Sequence, residues 1–576
     1  MNGHVKAGII VAVILVVIMG GSVIFASPAP VTPWVSVTSS VGNPDYPIDS
    51  RVYTTLDRTI LPVSVPQGTP PIYPDQVANY SEYGYGAWRY DNGLPYQKRL
   101  DLMPSSYANT SSTNGALLLH YFTVSDIHLA DKETPAQGIY AGYQGGNPSG
   151  YAAQMIMTTQ QLDAAIQTVN TLHLQKPFDF GMFLGDAINN NQYNELRWYI
   201  DVIDGKTITP DSGAKDDPIP GPLNDYQDPY KAAGLNTTIT WYQTLGNHDQ
   251  FWLGSYPRND YLSKTVTGVT ILNVENLSVD PTADFGKQGY YLGAIDGRTP
   301  LGDVIGAGPG KDFAEPPRVP ASDPNRHFLS PEEWMGEFFK TSSAPKGHGF
   351  NQTELSAGFG CYSFDPRSDV PIRIIVLDDT RKDINPAVGD YSYASLDNQR
   401  FNWLLGELDK GQAEGKLMII AAHIPIRNEP PGPSRLFSPY SPVTEQALIE
   451  KLHTYPNLIL WMSGHTHANS VTAMPSPDPA HPELGFWEVE TPSLRDFPQE
   501  FRMFDIVRNS DNTVSIFATD VDPAVRSGSL AGMSRSYAIA SHQIFNNSIN
   551  YPPTGAYNAE LVKQLTPAMQ AKIPAR

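Results

Sequence analysis

At 576 residues, the chain exceeds one ordinary core, and with 40% hydrophobic and 17% charged residues it reads as a large globular domain with additions. A net charge of −20 argues against a sequence-independent grip on nucleic acid or anionic lipid, so a phosphate-bearing substrate needs a local positive centre. The single cysteine, Cys361, excludes an intrachain disulfide and a thiolate metal cage.

In chain order, the first element is an uncharged apolar run from about residue 7 to 26, preceded by Lys6 and followed by a Pro-rich stretch. That pattern predicts a signal peptide or N-terminal membrane anchor over 1–27, with the body exported to the cell surface, periplasm or extracellular space. Six Asn-x-Ser/Thr sequons, at Asn79, Asn109, Asn236, Asn276, Asn351 and Asn546, permit glycosylation in a host that performs it. Residues 28–114, rich in Pro, Tyr and Ser, read as an N-terminal extension packed on the main domain.

From 115 to 523 strands and helices alternate, the rhythm of an α/β domain. "ALLLHYFTVSDIH" is a buried strand ending at Asp126 and His128, "MTTQQLDAAIQTVNTLHLQ" a helix, and "FDFGMFLGD" a strand ending at Asp186. "TITWYQTLGNHD" ends at Asn247, His248 and Asp249. Residues 250–357 read as a folded, aromatic-rich insertion that covers the site, with Trp252, Tyr256, Tyr261 and Trp334 forming its own core or lining a cap. The Gly-rich "GDVIGAGPGK" within it lacks the GKS or GKT ending of a phosphate loop. Then come "IRIIVLDDT", an amphipathic helix, "KLMIIAAHIP" ending at His423, and "TEQALIEKLHTY", a helix with Thr444 as its cap. "LILWMSGHTHANS" ends in His465 and His467, and shorter strands close the domain near 523, leaving 524–576 as a polar C-terminal tail.

Five apolar strands thus end in Asp, Asn or His, and five of the 13 histidines fall at those ends. In an α/β sheet such ends line one edge, where one site can collect them. The blocks "DIH", "GD", "GNHD", "H" and "GHTH", in that order, resemble the signature of the calcineurin-like metallophosphoesterase superfamily. The resemblance implies a four-layer fold, two mixed β-sheets packed face to face and flanked by helices. It also implies two divalent metal ions, of Mn, Fe, Zn, Co or Ni type, one held by Asp126, His128, Asp186 and His467 and the other by Asp186, Asn247, His423 and His465. The activity it implies is hydrolysis of phosphomonoesters or phosphodiesters by a hydroxide bridging the ions, with His248 protonating the leaving oxygen. The partner is then a phosphate ester substrate rather than a nucleic-acid scaffold, with membrane contact through the N-terminal segment alone.

Three departures narrow the class. Protein Ser/Thr phosphatases have an Asp three residues after the bridging one to orient the histidine; this chain has Asn189, and Asp249 is a substitute to consider. Purple acid phosphatases place a tyrosine ligand there and a glycine where His128 stands. Exported nucleotidases follow GNH with Glu and add a large C-terminal domain, whereas this chain reads GNHDQF with a short remainder. A noncatalytic, metal-stabilised surface domain is the competing reading, and Arg495 in "TPSLRDFP" reads as a surface pairing residue rather than one that reaches phosphate.

Overall fold

The computed structural model describes residue 48 and residues 52–107, 115–139, 150–214, 226–274, 290–295, 301–302, 304–309, 321–382, 390–426, 436–526, 528–545 and 557–573. The segment expected to be a signal peptide or membrane anchor and the sequons at Asn109, Asn276 and Asn546 lie outside them. No helix among the described residues is long and apolar enough to cross a membrane.

Numbering only the strands of the two large sheets, in chain order, these are β1 (Gln97–Arg99), β2 (Ala116–Val124), β3 (Phe180–Phe183), β4 (Trp241–Gln243), β5 (Tyr362–Phe364), β6 (Ile372–Val376) and β7 (Leu417–Ala421). They continue with β8 (Leu458–Ser463), β9 (Ser470–Met474), β10 (Phe486–Glu490), β11 (Phe501–Arg508), β12 (Thr513–Val521) and β13 (Ala559–Gln564). The seven-stranded sheet has the order β1-β13-β12-β11-β2-β3-β4 and the six-stranded sheet β5-β6-β7-β8-β10-β9. In the first, β2, β3 and β4 run parallel. In the second, β6, β7, β8 and β10 do. Antiparallel partners flank both runs, so both sheets are mixed.

Side-chain alternation explains the layering. Ile372, Ile374 and Val376, with Leu417, Ile419 and Ala421, point into the core shared with Tyr121, Phe180, Phe504 and Ile516 of the other sheet. Ile375, Met418 and Ile420 point the other way, onto Leu404, Leu408, Leu448 and Leu452 of the helices Asn398–Ala413 and Glu445–Leu452. Thr444 caps the second of these, its side chain accepting from the Ala447 amide at 3.2 Å. Across the seam, the Phe180 and Phe364 rings meet at 5.4 Å and the Tyr121 hydroxyl donates to Met462 Sδ at 3.1 Å. Leu162, Ile166 and Val169 of the helix Thr158–Gln175 pack into the same core as the seven-stranded sheet. Two sheets between helices are the architecture that the sequence blocks imply.

Two boundaries differ from the sequence reading. The segment read as a tail supplies the helix Leu530–Phe545, whose Leu530, Tyr537 and Ala540 pack on Met155 and Met157, and then β13, paired on both sides within the seven-stranded sheet. A six-residue strand with buried Lys563 in it carries too little apolar signal to stand out. The C-terminal part of the expected insertion also belongs to the main body. Trp334 and Phe338 join the central core, and the Trp241 and Gln243 amides of β4 donate to the Ala344 and His348 carbonyls at 3.0 and 3.1 Å. Trp252, Tyr256 and Tyr261 do form a small separate cluster with Leu262, Val266 and Phe328. Val304–Pro309 of the Gly-rich stretch is a strand, antiparallel to Tyr290–Ile295, and not a loop opening a helix.

Candidate metal centre

Every sequence-selected residue leaves the C-terminal end of a strand in one of the two parallel runs. Asp126 and His128 follow β2, Asp186 follows β3, and Asn247 and His248 follow β4; His423 follows β7, and His465 and His467 follow β8. The runs meet at this edge. Past the strands, the backbone continues to stitch the loops together: the His128 amide donates to the Asp186 carbonyl at 2.9 Å, and the Gly464 amide to the His423 carbonyl at 2.9 Å. An isolated bridge between Ser125 and Ser493 joins the two sheets here.

Close approach accounts for the glycines of the motifs. A Cβ on Gly464 would collide with Ser125 Oγ and the Asp126 carboxylate, and one on Gly246 with the backbone nitrogen and carboxylate of Asp186. Five of the gathered residues adopt left-handed backbone: Asp126 at φ 51°, His128 at 45°, Asp186 at 49°, His465 at 80° and His467 at 62°. Non-glycine residues pay on the order of 1–3 kcal/mol each for that conformation, and it clusters where function demands it. The GHTH block is therefore not an extended continuation of its strand. Two left-handed residues turn the rings inward, while Thr466 donates its amide to Glu490 at 2.8 Å.

Two groups of side chains result. In the first, Asp126 Oδ1 faces the Nε2 atoms of His467, His128 and His423 at 3.4, 3.7 and 4.0 Å. In the second, Asp186 Oδ2 lies 3.2 Å from His423 Nε2, and Asn247 Oδ1 is 3.0 Å from both His423 Nε2 and His465 Nδ1. Asp186 Oδ2 is also 3.6 Å from His128 Nε2, so this carboxylate stands between the groups. The Asn247 amide is fixed by its own donor: Nδ2 gives its hydrogen to the Gly254 carbonyl at 3.1 Å, leaving Oδ1 as an acceptor aimed inward. Asp126, His128, Asp186, Asn247 and His423 are buried, whereas the His467 side chain retains 19% exposure, which puts the opening on the GHTH side.

These donors fit divalent ions. Asp126 Oδ1 is buried and accepts no hydrogen bond, a costly arrangement unless positive charge lies beside it. Burial pushes the Asp126 carboxyl up, but the surrounding His128, His467 and His423 outweigh it and hold it well below the usual range; Asp186 is lowered in the same way, chiefly by His423 and His248. Burial, with Arg495 nearby, takes His128 down to about 3, and burial beside His423 does the same to His465, so both offer neutral imidazole. Burial is overcome at His423 by Asp186 and at His467 by Asp126 and Asp496, which raise both to about 10. Divalent cations would take the place of those protons. Carboxylate, imidazole and amide oxygen together suit first-row transition metals.

The residues around the cradle differ from expectation at three points. His248 donates Nδ1–H to the main-chain carbonyl of Asn189 at 2.7 Å, so the backbone and not the Asn189 amide orients it. Asp249 does not reach that imidazole. Its carboxylate accepts from the Gly246 and Ile188 amides at 2.8 and 3.3 Å and braces the loop, while burial and Asp186 push its pKa well up. Arg495 is not a surface residue: it is 1% exposed and its guanidinium grips Asp496 and Asn189. Sequence reading missed Asp496 altogether, although its Oδ2 accepts from His467 Nδ1 at 2.6 Å. The available signal was positional, since Asp496 too lies beyond a strand of the parallel run.

No family model matches the sequence, and no curated protein matches it. Solved structures similar to the chain include a dimetal phosphatase from Danio rerio, 10% identical with a TM-score of 0.35, the match covering 71% of this chain and 100% of that one. Another is a purple acid phosphatase from yellow lupin (Lupinus luteus) seeds, 10% identical with a TM-score of 0.29, covering 75% of this chain and 54% of that one. Independently of those distant likenesses, two face-to-face mixed sheets, parallel runs meeting at one edge and ordered loop blocks converging there are the arrangement that the sequence resemblance implies.

Proposed function

We propose that the protein is a metal-dependent phosphoesterase that hydrolyses phosphoric monoesters or diesters at the Asp186-centred cradle. The observation that carries the reading is the pair of neighbouring donor groups sharing one edge, Asp126, His128 and His467 beside Asp186, His423 and His465, with Asp186 between them. When bound, two divalent cations supply charge for the phosphoryl oxygens and acidify water for an in-line displacement. They also provide the positive centre that a chain of net charge −20 lacks.

The protein's own residues do the rest. Asp186 fixes the two groups relative to one another and also accepts from the His248 amide at 2.8 Å, so the cradle and the acid–base residue share one anchor. With Nδ1–H committed to the Asn189 carbonyl, His248 exchanges protons at Nε2, where it serves the leaving oxygen. Burial holds its pKa below the ordinary value, and a phosphate anion alongside opposes that shift. The apolar N-terminal run supports an extracytoplasmic setting for this chemistry.

The test is hydrolysis of p-nitrophenyl phosphate and bis-p-nitrophenyl phosphate by the purified chain, metal-free and after addition of Mn(II) or Zn(II). Metal-dependent turnover that Asp186→Asn lowers on the order of a hundredfold or more supports the enzyme. Two ions bound with no turnover on any ester would favour the noncatalytic surface domain.

A further inference from the structure

Arg495 makes contacts that a simple buried ion pair does not need. Its guanidinium is held two-pronged by Asp496, Nε to Oδ1 at 3.1 Å and Nη2 to Oδ2 at 2.9 Å, and this alone would pair the charge. A third donor, Nη1, reaches across to Asn189 Oδ1 at 3.0 Å. Each of those acceptors also receives an imidazole. Asp496 Oδ2 accepts from His467 Nδ1 at 2.6 Å, and Asn189 Oδ1 faces His128 Nδ1 at 3.1 Å. One guanidinium therefore reaches two imidazoles, from loops on different sheets, through one intermediate residue each.

The chemistry of the links is directional. A carboxylate, and an amide oxygen already facing a guanidinium, can only accept, so both imidazoles must donate from Nδ1 and present Nε2 towards Asp126. The second group is oriented by other means. His423 donates Nδ1–H to the Leu184 carbonyl at 2.8 Å, and His465 turns Nδ1 towards Asn247, whose amide is held by Gly254. Asp496 is further tied to the body through Gln154, at 2.8 Å, and thence to Ser541 of the helix Leu530–Phe545 at 2.8 Å. A direct role on phosphate does not fit, because the Arg495 side chain is buried and its donors are turned onto Asn189 and Asp496. The main-chain link between His248 and Asn189 frees the Asn189 side chain for this duty.

Resting on the metallophosphoesterase reading above, we infer that Arg495 is a positioning residue for one metal position, the one built on Asp126, His128 and His467, and leaves the other untouched. The links from a ligand imidazole to its outer partner are worth about 10–100-fold in metal affinity. Arg495→Lys keeps the buried positive charge but removes the planar fork that spans both acceptors.

The test is Mn(II) binding by calorimetry on the metal-free full chain, in two backgrounds that each retain one position. In His465→Ala, which keeps the Asp126 position, adding Arg495→Lys is expected to weaken Mn(II) binding by about 10–100-fold. In His467→Ala, which keeps the other, it is expected to change nothing. Asp496→Asn should reproduce the pattern, and Asn189→Asp, which preserves an oxygen acceptor, should retain the affinity that Asn189→Leu loses. Equal weakening in both backgrounds, or none in either, overturns the inference. Circular dichroism and thermal unfolding identify a variant that fails to fold, in which case Asp496→Asn decides by the same criterion. A wild-type chain that binds no Mn(II) would instead remove the functional reading on which the inference stands.

Discussion

An acceptor-only oxygen buried among three imidazole nitrogens, as Asp126 Oδ1 is, has to share its space with positive charge, and that requirement shapes what single substitutions should do. Asp186→Asn keeps the volume of the side chain but removes the anion standing between the two groups. Turnover of an ester reporter should fall on the order of a hundredfold to a thousandfold, the scale for losing one preorganised electrostatic partner; near-wild-type turnover would place the chemistry elsewhere. His465→Ala and His467→Ala should each lose one bound metal, and a different one, because His465 faces Asn247 and His467 faces Asp126. Metal analysis showing two ions retained in either variant would contradict the assignment. At this scale the sequence was informative wherever a polar ligand type ended an apolar strand, as with Asp126, Asp186 and His423. It was silent on the partner of His248, because a main-chain carbonyl leaves no residue-type signature, and on Asp496, because reaching His467 depends on how far the strand Phe486–Glu490 runs beside Leu458–Ser463.

Strands and helices were legible to the extent that burial was one-sided. Strand β6 was readable because Ile372, Ile374 and Val376 face one way and Ile375 the other, and the helix Glu445–Leu452 because Thr444 supplies a cap. β13 escaped notice because Lys563, a residue that ordinarily signals a solvent face, is buried there with its Nζ donating to the Leu458 carbonyl at 2.6 Å and to the Gly485 carbonyl. Burial takes the Lys563 pKa down to about 7, with Glu483 acting weakly in the other direction. In the unfolded chain a lysine titrates at about 10.4, so between the two values the unfolded state binds the extra proton and stability rises with pH. Below about pH 7 both states are protonated and this contribution stays at its least favourable value. Lys563→Met should therefore flatten the rise in urea-unfolding free energy between pH 7 and 10, by an amount on the order of 2–4 kcal/mol. A variant whose pH profile parallels that of the wild type would show that the amine stays charged in the folded sheet.

At the scale of the whole molecule, the cradle is a joint. Asp126, His128, Asp186 and Asn247 come from the seven-stranded sheet and His423, His465 and His467 from the six-stranded one, so each of the two proposed metal positions draws its donors from both sheets. Elsewhere the seam is held by contacts that need no metal, among them Phe180 against Phe364 and Tyr121 against Met462. Removing the ions should therefore loosen the edge without dissolving the core. Ions that bind the folded chain alone stabilise it by about 2.7 kcal/mol for each site held at a hundred times its dissociation constant. Chelation is thus expected to lower the melting temperature by several degrees and to raise amide exchange first in the loops after β2, β3, β7 and β8, with Mn(II) reversing both. His465→Ala and His467→Ala should each retain only part of the metal-dependent gain, since each keeps one of two linkages between the sheets. If chelation left melting and exchange unchanged, the ions would contribute nothing to holding the sheets at this edge, and the two positions could not both be sites that join them.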